Sequence, residues 1–125
     1  MRNLTADTFQ STIEAKGIVL VDWWASWCGP CRSFAPTFEA AAQRHDDVIF
    51  AKVDTQANPD LAAGAEIMSI PTLMAFRDGI LLFSQPGALP AAALDDLISQ
   101  VRALDMDSVR AEIAAAEPVR DEANV

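Results

Sequence analysis

Residues 18–24 read Ile-Val-Leu-Val-Asp-Trp-Trp, an extended run whose two alternating faces are both apolar apart from one aspartate. Side chains of a strand point alternately to opposite faces, so such a run is stable only where helices cover the sheet on each side. It reads as a central strand of an α/β chain, and it requires Asp22 to be buried. The neighbouring segments agree. Thr5 to Lys16 reads as a helix, with Phe9 and Ile13 a turn apart, Asp7 in its first turn and Gly17 placed to end it. From Gly29 to about Arg44 the spacing of Phe34, Phe38, Ala41 and Ala42 gives a helix with one apolar face. Pro36 in its interior lacks an N–H and crowds the carbonyl of Arg32, which predicts a bend. Val48 to Val53 is a second buried strand, and Asn58-Pro59-Asp60 opens a short helix through about Ala65, with Pro59 at its first position.

The second half changes character. Thr72 to Arg77 and Ile80 to Ser84 are joined by Asp78-Gly79, the two-residue turn that suits a tight antiparallel hairpin. Leu94, Leu97, Ile98, Val101 and Leu104 then repeat at three and four residues in a helix that begins near Pro90. The architecture that follows is a mixed central β-sheet flanked by helices. A chain of 125 residues, 51% hydrophobic, builds one core and is too short for two ordinary domains. Residues 1–104 therefore read as one domain and 105–125 as a C-terminal extension. Met106, Val109 and Ile113 form a stripe on a short helix from Asp105 to Glu117, expected to dock on its own domain. Pro118 stops it, and Val119 to Val125 is polar and expected to fray.

Eighteen acidic against nine basic residues, a net charge of -9, exclude a phosphate backbone or an anionic membrane surface as the main partner. No apolar run of signal-peptide or bilayer-spanning length occurs, so the cytosol is the expected location.

Cys28 and Cys31 are the only cysteines, separated by Gly29-Pro30 at the start of a helix. The unpaired N–H groups and dipole of a helix N-terminus stabilise a thiolate at Cys28, whereas Cys31, one turn inside, should be more shielded and less acidic. An exposed Cys28 thiolate would open a substrate disulfide to a mixed disulfide, and Cys31 would then attack Cys28 and release the reduced substrate. Half of a zinc site, a static disulfide and two inert core cysteines compete with this reading. Zinc is disfavoured because only His45 remains as a soft or borderline ligand, at the far end of the same helix. A loop closed by cysteines at i, i+3 constrains little of the unfolded chain, and cytosolic disulfides are usually catalytic or redox-sensing. His45 itself, between Arg44 and Asp46, reads as a solvated helix-end residue.

The string Trp27-Cys28-Gly29-Pro30-Cys31, after an apolar strand and before a helix, resembles the thioredoxin family. The likeness runs from about Phe9 to Leu104. It takes in Val21-Asp22-Trp23-Trp24-Ala25, Pro36, Ala51-Lys52-Val53-Asp54, Ile70-Pro71-Thr72 and Gly87-Ala88. It implies that Asp22 is the buried acid that exchanges a proton with Cys31, its pKa raised by burial, and that Lys52 approaches and tunes it. It implies a cis Pro71, and the resemblance is the entire warrant for that, because only about 5–6% of X-Pro bonds in folded proteins are cis and the sequence alone would make it trans. The Ile70 backbone would then pair with an extended substrate segment, with Trp27, Gly29, Pro30, Gly87 and Ala88 completing a shallow apolar rim. Ser26, Arg32 and Ser69 depart from the family's commoner residues and alter the charge and contour around the thiols.

The resemblance implies a protein-disulfide reductase and electron carrier in cell redox homeostasis, working as a monomer on disulfide-containing proteins and re-reduced by an NADPH-fed thioredoxin reductase. No Gly-rich dinucleotide fingerprint occurs, so no cofactor is expected to bind this chain. The alternatives are a dedicated redox partner of a single protein and a thioredoxin-like binding module that uses the segment from Met106 to Ile113.

Overall fold

Residues 1–116 are described in a computed structural model, and there the run at 18–24 is the middle of a five-stranded sheet. The elements in chain order are β1 (Arg2–Asn3), α1 (Phe9–Ile13), β2 (Ile18–Trp24), α2 (Gly29–Arg44), β3 (Val48–Asp54), α3 (Pro59–Gly64), β4 (Thr72–Arg77), β5 (Ile80–Pro86), α4 (Ala91–Ala103) and α5 (Met106–Ala116). The strands lie in the order β1-β3-β2-β4-β5. β2 runs parallel to β3 and antiparallel to β4, so the sheet is mixed, as its sequence pattern requires.

Alternation along β2 builds two cores. Ile18 and Leu20 join Phe50, Phe34 and Phe38 of α2 and Leu94 and Ile98 of α4 on one face. Val19, Val21 and Trp23 join Val53, Met74, Phe76 and Phe9 on the other. Each fully buried aliphatic or aromatic side chain contributes about 1.5–3 kcal/mol, so the strand that serves both cores anchors the fold. By the same alternation Asp22, Trp24 and Lys52 fall on the face that α2 covers.

The helix expected over Thr5 to Lys16 shrinks to α1. A turn precedes it, in which the N–H groups of Thr8 and Phe9 both donate to the Thr5 carbonyl, at 3.1 and 2.9 Å, and Thr5 N–H donates to Thr8 Oγ1 at 3.0 Å. β1, which the sequence reading missed, is a two-residue edge pairing with Ala51 and Lys52. The hairpin turn is as read, with Asp78 and Gly79 both at positive φ, 52° and 83°. β5 runs two residues beyond the expected Ser84, because pairing with β4 continues to Thr72 opposite Pro86.

α5 docks at its beginning: Met106 is buried, Val109 half-buried, and Arg110 pairs with Asp78 at 3.3 Å, whereas Ile113 is 43% exposed. The expected stop at Pro118, the last helical residue Glu117 and the frayed stretch 119–125 lie outside the described residues. His45 corrects its sequence reading. Its side chain is only 14% exposed and bridges α2 to α4, with Nε2 2.8 Å from Asp95 Oδ1 and Nδ1 3.3 Å from an Arg102 nitrogen.

Candidate active site

β2 ends beneath the N-terminus of α2, and the turn between them carries the two cysteines. Cys28 is the N-cap of α2, extended at φ -86° and ψ 112°, and Pro30 supplies a helical φ where no N–H is needed. That geometry folds the first turn back on itself: the Cys31 N–H donates to Cys28 Sγ at 3.2 Å, the Cα atoms stand 5.2 Å apart, and the sulfurs are bonded. Reduced, Cys28 would keep that donor and the helix dipole to stabilise a thiolate. The contrast expected between an open Cys28 and a covered Cys31 is absent from this oxidised state, in which the residues are 4% and 3% exposed. The bond draws Cys28 Sγ over the first turn, and the Ile70 carbonyl oxygen approaches it to 3.7 Å.

That carbonyl belongs to a cis peptide bond, Ile70-Pro71. The segment around it is pinned: Thr72 Oγ1 donates to the Ser69 carbonyl at 2.6 Å, and Gly87 N–H donates to the Pro71 carbonyl at 2.8 Å. Gly87 meets that carbonyl with φ at +105°, a conformation glycine adopts without strain. Of the predicted rim, Trp27 is 65% exposed, Pro30, Gly87 and Ala88 are exposed, and Gly29 and Ile70 are half-buried. Trp27 and Ile70 line a groove of about 400 Å³ together with Thr55, Ala62, Ile67, Met68 and Ser69. Ser69 is one of the departures already placed around the thiols, and the other four lie outside the sequence reading of the rim. They carry no periodic pattern: Thr55 directly follows β3, where its N–H and Oγ1 both donate to the Trp24 carbonyl, and Ala62, Ile67 and Met68 come from α3 and its following loop. Two of the departures meet here, because Arg32 Nη1 donates to the Ser26 carbonyl at 2.9 Å across the motif.

Asp22 is fully buried, and neither carboxylate oxygen has a hydrogen-bond partner among the described residues. Burial pushes its carboxyl up from 3.8 to about 6, against the opposing pull of the Lys52 ammonium. Lys52 stands opposite Asp22 in the β2–β3 register but forms no ion pair with it. Its Nζ lies over the Trp24 ring, 4.7 Å from the centroid. The structure thus brings Asp22 and Lys52 to the sheet face under α2, and Cys31 lies buried in the first turn of that helix.

The Thioredoxin family model matches residues 1–100. The chain belongs to the thioredoxin family. Among its relatives, a protein described as putative thioredoxin 2 from Streptomyces coelicolor is 52% identical over 111 residues, covering 89% of this chain and 83% of that one. A thioredoxin from Streptomyces clavuligerus is 41% identical over 95 residues, covering 75% and 89%. The oxidised form of mitochondrial thioredoxin 3 from Saccharomyces cerevisiae superposes with a TM-score of 0.73 at 32% identity, covering 80% of this chain and 94% of that one. Plasmodium falciparum thioredoxin gives 0.73 at 31% identity. As a thioredoxin-family protein with a bonded cysteine pair at a helix N-terminus, the chain is a protein-disulfide oxidoreductase.

Proposed function

We propose that this thioredoxin-family chain is a general reductase of protein disulfides, with residues 1–104 as the redox domain and 105–125 as an extension. The observation that carries the reading is the Cys28–Cys31 bond at the N-terminus of α2, with the Ile70 carbonyl at its side and an apolar groove beyond. The cycle starts from the dithiol. Cys28 thiolate attacks one sulfur of a substrate disulfide, the substrate's own bond breaks, and the departing sulfur leaves as a thiolate that takes a proton. Cys31 then loses its proton through water to Asp22, whose raised pKa suits a base working near neutral pH, and attacks Cys28. The substrate's second thiol departs, and two electrons have moved from the cysteine pair to the substrate.

Lys52 tunes Asp22 through space. Trp27, Gly29, Pro30, Ile70, Pro71, Gly87 and Ala88 hold the substrate segment, the Ile70 carbonyl accepting from its backbone N–H. Thioredoxin reductase regenerates the dithiol, and a reducing compartment such as the cytosol is where this direction of flow is sustained.

The test is turnover of insulin disulfides with dithiothreitol as donor. Cys28→Ser should abolish it, while Cys31→Ser should accumulate mixed disulfides visible on non-reducing gels. Retained turnover in the Cys28 variant would remove the assignment. NADPH consumption with added recombinant thioredoxin reductase tests the donor separately.

A further inference from the structure

Four methionines occur in the chain, and they divide sharply by position. Met74 and Met106 are buried in the core, and Met1, 52% exposed, is at the terminus and away from the groove lining. Met68 is 93% exposed and lines the groove beside Cys28. Its exposure is held by the backbone. Glu66 adopts a positive φ of 58°, Ile67 N–H donates to the Ala62 carbonyl at 3.0 Å, and Thr72 Oγ1 ties down Ser69, so the loop presents Met68 from a fixed frame. An unbranched thioether in that position offers adaptable apolar contact to varied protein segments, and it is also a group that peroxides oxidise readily when solvent reaches it.

We propose that Met68 is a peroxide-sensitive modification site that controls how well this groove engages protein substrates. The inference rests on the reading of the groove as the substrate surface. A sulfur lone pair of Met68 attacks hydrogen peroxide, the O–O bond breaks, an S–O bond forms and water leaves. The thioether is oxidised by two electrons and the peroxide reduced by two. The product is a polar, chiral sulfoxide at the mouth of an apolar groove lined by Trp27, Ile67 and Ile70, where it opposes burial against an apolar segment. Cys28 and Cys31 are spared when the reaction is run on the disulfide form, because neither then carries a thiol.

The experiment treats the oxidised full-length protein with hydrogen peroxide, removes the peroxide with catalase, and follows each methionine by peptide mass mapping. Insulin reduction with dithiothreitol is measured before and after. Untreated turnover tests the proposed function by itself. Met68 is expected to oxidise well before Met74 and Met106, and KM for insulin to rise about threefold or more with kcat little changed, in proportion to Met68 sulfoxide. Met68→Leu, compared with itself before and after treatment, should show no such rise. The proposal is overturned if Met74 or Met106 oxidises first, if Met68 sulfoxide forms without a change in KM, or if the Leu variant loses as much as the parent.

Discussion

Asp22 combines full burial, two unpartnered oxygens and a place on the sheet face under α2, and these properties have opposite consequences for stability and for chemistry. Folding raises its pKa from 3.8 to about 6, so between those values the folded chain keeps a proton that the unfolded chain has released. Stability therefore falls as pH rises through that window, and the full cost, at about 1.4 kcal/mol per unit, reaches about 3 kcal/mol above it. Asp22→Asn removes the ionisation. Urea unfolding of the disulfide form should show the variant gaining about 2–3 kcal/mol on the parent between about pH 4 and pH 8. Any fixed cost of the buried amide is the same at both ends, so a pH-independent difference would contradict the assignment. On the proposed role of Asp22 as the base for Cys31, the same substitution should slow insulin reduction about tenfold to a hundredfold at neutral pH. The parent's rate should also fall as pH drops through about 6, where Asp22 takes up its proton, and the variant's profile should lack that step.

Arg77 at the hairpin tip ties separate elements together. Its Nη1 donates to the carbonyls of Val101 at 2.9 Å, Arg102 at 3.2 Å and Leu104 at 2.8 Å at the C-terminus of α4, the first of which also accepts from the Leu104 N–H at 3.4 Å. Arg77→Met keeps most of the aliphatic stem and removes the donor, so urea unfolding should show a loss of about 1–2 kcal/mol with insulin turnover unchanged. A loss of turnover at full stability would tie the tip to the redox face. Elements whose rules are local were legible in advance. Ile18–Trp24 and Gly29–Arg44 followed from periodicity and from Gly29-Pro30, and the hairpin followed from Asp78-Gly79. β1 was invisible because two residues on a sheet edge carry no pattern, and α1 was overcalled at its start because Thr5 to Thr8 form a turn, the Thr5 carbonyl accepting from both Thr8 and Phe9. At the site, the cysteine pair was plain in the sequence. Met68, Ile67 and Thr55 were not, since the loop after α3 places the first two there and the end of β3, tied to the Trp24 carbonyl, places the third. Arg77 and His45 were equally hidden, being polar residues whose partners are far away along the chain.

The cysteine pair and the start of α5 lie at opposite ends of the sheet. Trp23, near the end of β2 that leads to Cys28, pairs with Thr72, next to the cis peptide bond, while Ile18 at the other end pairs with Arg77. α5 is attached at that second end. Asp78, one residue past Arg77, binds the Gly17 N–H at 2.8 Å and Arg110 at 3.3 Å, and Met106 is buried in the first turn of α5. Removing residues 105–125 should therefore cost stability without disturbing exchange. Burial of one Met side chain supplies about 1.5–3 kcal/mol and a half-exposed ion pair at most about 1, so urea unfolding should reveal a loss of about 2 kcal/mol. The turnover number for insulin should stay within about twofold of the full chain, since each redox residue lies in 1–104 at the opposite end of β2. Loss of turnover by a truncated chain that still unfolds cooperatively would mean that residues 105–125 reach the cysteine pair after all, and the division into redox domain and extension would have to be redrawn.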